Sequence, residues 1–555
     1  MPAIFSRLLI AACFITVPAF AQLTHLTPSA REALKRISGD SLFRHIAFFG
    51  SDSLAGRGTG TRGGEIAAVY IADELAKCNI QPAGDEHSYF QQIPMHGSRP
   101  LASSNFQIIT KHGTTPLVFG KDYLLYNTGA QTFVPKPVPL VFVGYGIVAP
   151  EYDYNDYQAL NVVGKIVVFL SGEPASNEPS YFAGSQPTLY SFPETKQKMA
   201  LARGAVGSIM IPTPGQEFSR DWQAWLHEFA FEDVRLFYSV TGNLSVVVNP
   251  ETASLLFEDA PYSLKQIFNM EAVNNLRSFQ LAVSASFRGS FQQRDFLSPN
   301  VSGLLRGNDA QLKDTYVIIS AHYDHLGIGP ATKADSIYNG VFDNAAGVAA
   351  VLEIARVMAA LPEKPKRSVL FLFLTGEEKG LLGSSYYVDH PVVPLYQTLA
   401  NLNVDGLAMF DTFNDVVGVG AELSTLGELL EEVAAALGLR VSAIPSPFPE
   451  TASFARSDQI TFAKAGIPAL LVMEGPDYRH TSREAGLQRL IKWGQEIYHT
   501  PFDDLRQPLN LAAAQQHTQV LLALSLALAN SAKAPQWQKG VPYLAARLQS
   551  IAEKR

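Results

Sequence analysis

Hydrophobic positions along this chain fall into two patterns that change over between residues 284 and 301. From Val301 to Asn530, short apolar runs, TYVIISAHYD (315–324), SVLFLFLTG (368–376), TLANLNVDG (398–406) and IPALLVME (467–474), alternate with helical-period stretches, VAAVLEIARVMAAL (348–361) and LGELLEEVAAALG (426–438). Buried strands separated by amphipathic helices predict an α/β fold, with a mixed, largely parallel sheet flanked by helices. Residues 117–284 read differently. PLVFVGYGIV (139–148), GKIVVFLS (164–171), GSIMIP (207–212) and LSVVVN (244–249) are strand-like and separated by polar, aromatic, proline-bearing loops. They predict a β-rich module with few helices. Before it, Pro28 to Leu75 reads as helical, broken by GRGTGTRGG (56–64).

That loop contains G-x-G-x-x-G, Gly58 to Gly63, and opens the helix EIAAVYIADELAK. A dinucleotide fingerprint needs a strand before the loop and a second strand, ending in an acid, after the helix. Here a polar turn, Asn79 to His87, follows instead. The loop is therefore read as a flexible entry into a helix.

Length and composition change the picture at the ends. A chain of 555 residues exceeds one simple core. The division expected is a signal peptide at 1–21, main-domain segments at 22–116 and 285–535 around the 117–284 module, and a tail at 536–555. Arg7, the apolar run Leu8 to Phe20 and the small-x-small site Ala19-Phe20-Ala21 form an export signal. Its removal leaves the mature chain at about −9, with Cys78 its one cysteine, so no internal disulfide forms. Ile10 to Cys13 resembles a lipoprotein box, but too few apolar residues separate Arg7 from Cys13. The protein is expected to be exported, periplasmic or secreted. VLLALSLALA (520–529) is too short to span a bilayer and reads as a buried helix. The acidic balance, with no Lys/Arg cluster, argues against nucleic acid as a partner.

The chemistry lies just past the strands of the second half, where open α/β sheets bind ligands. His322-Tyr323-Asp324-His325 follows one strand, Asp343-Asn344 opens a helix, and Glu377-Glu378 follows another strand. Asp405 ends a third, and His499 comes late in the chain. Adjacent glutamates at the end of a buried element are costly unless each has a separate partner. Histidines with carboxylates suit zinc, and several carboxylates with two histidines suit two zinc ions sharing a bridging carboxylate.

His-x-Asp, Asp-Asn, Glu-Glu, Asp and a late His-Thr-x-x-Asp, at intervals of 21, 35, 27 and 94 residues between His322, Asp343, Glu378, Asp405 and His499, resemble the M28 family of zinc metallopeptidases. AGRGTGTRGGEIAAVYIADEL at the front is similar to that family too, and the inserted segment resembles a protease-associated (PA) domain. The resemblance implies an aminopeptidase acting on peptides with two zinc ions per chain. His322 and Asp405 would hold one ion and Glu378 and His499 the other, with Asp343 bridging. Glu377 would be the general base toward the activated water, and Asp324 would accept a hydrogen bond from the His322 ring. The Asp343–Asn344 bond would be cis. His325 is assigned packing or hydrogen bonding, Tyr323 packing beside the site, and His390 and His480 nothing. In FARSDQITF the family's usual Ser-Asp-His carries Gln459, and no oxyanion tyrosine stands there, so Arg456 is the candidate donor. A carboxypeptidase or glutaminyl cyclase on the same scaffold, and a binding ectodomain without catalysis, are the alternatives. Oligomeric state and the preferred first residue stay open.

Overall fold

The computed structural model describes residues 27–126, 132–158, 160–178, 180–184, 187–215, 221–446, 448 and 450–554. The expected signal peptide lies outside them. Two large sheets organise the chain. The first contains β1 (Phe90–Pro100), β2 (Asp233–Leu236), β3 (Phe291–Leu305), β4 (Tyr316–His322), β5 (Ser368–Leu374), β6 (Thr398–Asn403), β7 (Asp415–Val419), β8 (Arg440–Ser442) and β9 (Ala469–Glu474). Their spatial order is β2-β1-β3-β5-β4-β6-β9-β7-β8, with the short strand Gln81–Pro82 paired beside β3. The central strands β5, β4, β6 and β9 run parallel, while β2, β1 and β3 add antiparallel on one side. On the other side β7 is antiparallel to β9 and parallel to β8.

The alternation of side chains explains why these runs are apolar throughout. Val317, Ile319 and Ala321 of β4 and Val369, Phe371 and Phe373 of β5 enter one core. Ile318, Leu370, Leu372 and Leu374 enter another on the opposite face. Both faces of a central parallel sheet are covered, so both sets of positions must be hydrophobic. The first face is covered by α1 (Gly39–Phe49), α2 (Arg62–Lys77), α3 (Ala346–Ala359), α4 (Leu426–Ala436) and α5 (Leu511–Asn530). Helix α3 is buried nearly all round, between the sheet and α1. Helix α5 contains the run 520–529 and is buried as expected. Among the described residues no helix is long and apolar enough to cross a membrane.

The second sheet is drawn from strands between Asn105 and Arg288, with Phe133–Phe142, Ile166–Leu170, Gly207–Ile211 and Leu244–Val248 parallel to one another. It too has a core on each face. Val148–Ala149 and Tyr154–Asn155 pair only with each other, and one further strand of this stretch joins the first sheet instead. β2 leaves to pair antiparallel with β1, Asp233 opposite Ser98 and Leu236 opposite Met95, and so extends the first sheet.

A candidate metal centre at the ends of the parallel strands

Register brings the predicted residues to one edge. His322 is the last residue of β4 and lies opposite Leu374 at the end of β5. Ser320 lies opposite Asn403 at the end of β6. The turns carrying Glu377 and Asp405 therefore emerge beside His322. Asp343 arrives on a wide helical turn, Val341–Ala345, that enters α3, and its bond to Asn344 is cis. His499 comes from the loop before α5, at φ +55, a left-handed conformation that costs a non-glycine residue roughly 1–2 kcal/mol.

All five expected ligands meet. His322 Nε2 is 3.2 Å from Asp343 Oδ1 and 3.2 Å from Asp405 Oδ1. His499 Nε2 is 3.2 Å from Asp343 Oδ2 and 3.1 Å from Glu378 Oε2. The two oxygens of Asp343 thus face the two imidazoles, with Asp405 beside one and Glu378 beside the other. His322 is 1% exposed and Glu378 4%, whereas Asp405 keeps 22% and His499 36%, so the group opens to solvent on that side. Glu377 is half-buried and also falls within ligand distance of His322 and Asp405.

Surrounding groups hold these side chains in place. The Asn344 side chain donates to Val404 O (2.8 Å) and accepts from Gly406 N (2.9 Å), binding the Asp343 turn to both neighbours of Asp405. Buried Asp503 accepts from the backbone N–H of Phe342 (2.9 Å) and of Asp343 (3.1 Å), tying the His499 loop to the same turn. His325 Nδ1 donates to Glu378 Oε1 at 2.6 Å, a hydrogen-bonding role as expected. Tyr323 is buried and donates to Pro299 O. Gln459 accepts from Asn403 Nδ2 and donates to Phe454 O, both at 2.9 Å, so the departure from Ser-Asp-His is a structural clamp behind β6.

One expectation is corrected. Asp324 Oδ1 stands 4.0 Å from His322 Nδ1, beyond hydrogen bonding. The ring instead donates to the backbone carbonyl of Asp324 at 3.2 Å. Asp324 lies past the end of β4, so strand alternation no longer aims its carboxylate at the ring, and Thr59 and Glu377 take it.

Sequence reasoning assigned no role to Arg57 or Tyr498. Arg57 is fully buried, and its guanidinium donates to Tyr323 O (2.9 Å), Gly340 O (3.0 Å), Phe49 O and Asn339 O. It braces the segments before His325 and Asp343 from below; burial pulls its pKa down to about 10. Its place in AGRGTGT was the one available signal. Tyr498 stacks on His499, with ring centroids 3.8 Å apart, and stays 41% exposed. Its phenol is held well above the usual range by desolvation and by Asp343, Glu378, Glu377 and Asp405.

The electrostatics fit a metal. His322 Nδ1 donates to a carbonyl, so in a neutral ring Nε2 turns a lone pair toward two carboxylate oxygens. His499 Nε2 is buried and makes no hydrogen bond despite its two carboxylate neighbours. Such an array holds together only with cations or protons between its members. Burial alone would lower His322, yet Glu377 and Asp405 carry it well above the usual range, and Glu378 and Asp343 take His499 up to about 10 against the same burial. Asp343 and Glu378 are held low by the imidazoles despite burial, and burial with Asp405 and Glu378 holds Glu377 well above the usual carboxylate range. Divalent cations would displace those protons, and two histidines with carboxylates are a zinc-type donor set.

Comparisons with known proteins agree. The family model described as Peptidase family M28 matches residues 300–525. Leupeptin-inactivating enzyme 1 of Streptomyces exfoliatus is 32% identical over 174 residues, 30% of this chain and 36% of that protein. Aminopeptidase YwaD of Bacillus subtilis is 34% identical over 109 residues, 20% of this chain and 21% of its own length. The chain thus spans little more than a third of the first of these relatives and about a fifth of the second. An aminopeptidase from Aneurinibacillus sp. strain AM-1 has the same fold, with a TM-score of 0.54 at 18% identity, covering 92% of this chain and 97% of that one.

Proposed function

We propose, for a chain whose residues 300–525 belong to peptidase family M28, that it is an exported di-zinc aminopeptidase removing residues from peptide N termini. The observation that carries this is Asp343, whose two oxygens each face a different imidazole, one backed by Asp405 and the other by Glu378. His322, Asp343 and Asp405 would hold one zinc, and His499, Asp343 and Glu378 the other. Zinc, when bound, supplies Lewis acidity that makes water acidic near neutral pH and offsets negative charge on the substrate oxygen.

The protein's own groups do the rest. Among the described residues Glu377 makes no hydrogen bond to a histidine, yet it lies within ligand distance of His322 and Asp405, a position that suits a general base. It takes the proton of the attacking water and returns it to the leaving amine. The phenol of Tyr498, whose ring stacks on His499, is the donor we assign to the developing oxyanion, ahead of the exposed Arg456. The substrate end we assign to this centre is a free α-amine. That several relatives are named aminopeptidases supports the same choice. The segment 117–284 is assigned as the PA-like module.

Elemental analysis of purified protein should give about two zinc per chain, and chelation should abolish hydrolysis. Amino-acyl reporters should turn over and their N-acetylated forms should not. Equal cleavage of both refutes the aminopeptidase reading, and ring closure of an N-terminal glutamine peptide without hydrolysis replaces it with a cyclase.

A further inference from the structure

The glycine-rich loop forms part of the wall of the metal centre. Gly58 makes a single β-bridge with His325, and His325 N donates to Arg57 O at 3.3 Å. Gly60 has φ +64, and a Cβ there would lie 1.9 Å from the Phe296 ring, so only glycine permits this approach. The approach presents Thr59, 4% exposed, to Asp324. Thr59 Oγ1 donates to Asp324 Oδ2 at 2.8 Å. The other oxygen, Oδ1, accepts from the backbone N–H of Glu377 at 3.2 Å.

That N–H has a particular need of an acceptor. It opens a short helical turn, Glu377–Lys379, entered from Gly376 at φ +67 with no side-chain cap of its own. The loop is fixed from behind as well. Arg294 on β3 donates from Nη1 to Gly60 O (2.7 Å) and from Nη2 to Thr59 O (3.3 Å). The same guanidinium grips Glu232, next to β2, from Nε (2.8 Å) and Nη2 (2.6 Å), and lies 4.0 Å over the Phe296 ring.

We infer that Thr59, held by Arg294 and Glu232, is a positioning residue for Glu377, acting through Asp324 on the backbone of the turn that carries the base. The inference rests on the reading of Glu377 as general base. Binding one carboxylate oxygen by a hydroxyl orients the other toward Glu377 N–H, and the turn is aimed at the centre by that bond.

Two measurements test it on the full chain. The first needs no catalysis: hydrogen exchange followed by mass spectrometry over residues 376–381. Thr59→Val should exchange there about tenfold faster or more, and Thr59→Ser should match wild type. In the second, kcat of Thr59→Val should fall about tenfold to a hundredfold, with KM within about twofold and zinc content unchanged. Thr59→Ser should recover most of kcat. If Thr59→Val does not accumulate folded, Arg294→Lys serves instead, with faster exchange at the turn and a several-fold fall in kcat expected at constant KM. Wild-type exchange at the turn or wild-type kcat in the folded variant overturns the inference, as does loss of zinc ahead of kcat. An inactive wild-type protein would instead refute the base assignment while leaving the exchange result to stand alone.

Discussion

Glu377 and Glu378 are adjacent, both acidic and both close to His322, and the structure makes opposite demands of them. Glu378 is bonded to His325 at 2.6 Å and faces His499 at 3.1 Å. Glu377 is anchored through its backbone, and its carboxylate lies within ligand distance of His322 and Asp405. Glu377→Gln therefore leaves all five ligands intact, and zinc should stay at about two per chain. What is lost is proton transfer, worth about a hundredfold to ten-thousandfold in rate, or roughly 3–5 kcal/mol of barrier. KM should change little, because the proton moves only in the reacting state. Glu378→Gln should do the reverse: His499 and Asp343 alone remain at that site, so zinc should fall to about one per chain. The assay is elemental analysis after exhaustive dialysis, paired with steady-state kinetics on an amino-acyl reporter with zinc in excess. If Glu377→Gln loses a zinc while Glu378→Gln retains two, the roles are exchanged and Glu377 is not the base.

Arg57→Met would leave the carbonyls of Tyr323, Phe49 and Asn339 without the guanidinium donor, while Gly340 O keeps the Ala345 N–H, and should destabilise the zinc-free protein by about 3 kcal/mol, read from urea unfolding; a cost under about 1 kcal/mol would show the brace to be dispensable. Tyr498→Phe keeps the ring stacked on His499 and should lower kcat about a hundredfold with zinc retained, and unchanged kcat would remove the phenol from the mechanism. His517 is fully buried in α5, accepting from Ala408 N at 3.0 Å and donating to Val472 O at 3.1 Å, and burial lowers its pKa to about 4. Its stabilising contribution is whole above the unfolded value near 6.5 and is lost as pH falls toward 4, an effect of up to about 3 kcal/mol. His517→Gln should flatten that part of the stability–pH curve, and an unaltered slope would contradict the assignment.

The meeting of His322, Asp343, Glu378, Asp405 and His499 was legible because each is a metal-binding residue type at the end of a recognisable element, and parallel register brings such ends together. What holds the ligands was not. Asp324 follows His322 by two positions, which on a continuing strand would put both side chains on one face. The strand ends at His322, so the alternation fails one step later and the carboxylate turns elsewhere. Thr59 and Asp324 are 265 residues apart, and nothing local to either names the other. The glycines of the loop do signal close backbone approach, but periodicity cannot say what they approach. DVRL (233–236) is too short to declare which sheet it joins, and its departure to β1 follows from three-dimensional packing alone. Gln459 looked like a lost functional histidine because its two bonds, to Asn403 and Phe454, are formed only in the folded chain.

That departure of β2 bears on how the two sheets work together. Between them lies a cleft of about 540 Å³, lined on one side by Leu125, Tyr126 and Gln197 and on the other by Glu378, Lys379 and Gly380. The segment leading into β2 closes one wall, with Lys379 Nζ 5.5 Å over the Phe231 ring. His227, just before it, contacts the Tyr338 hydroxyl at 2.9 Å, close to the turn that carries Asp343. Glu232, next to Phe231, holds Arg294 and through it the glycine-rich loop. The short turn after β5 therefore has the metal centre on one side and this cleft on the other, within a volume of the size that binds small ligands and peptide segments. A segment seated there would press on Lys379, which follows Glu378, and on Glu232, which holds Arg294. Insertion of the second sheet into the chain thus places the cleft it lines beside the turn that carries Glu377.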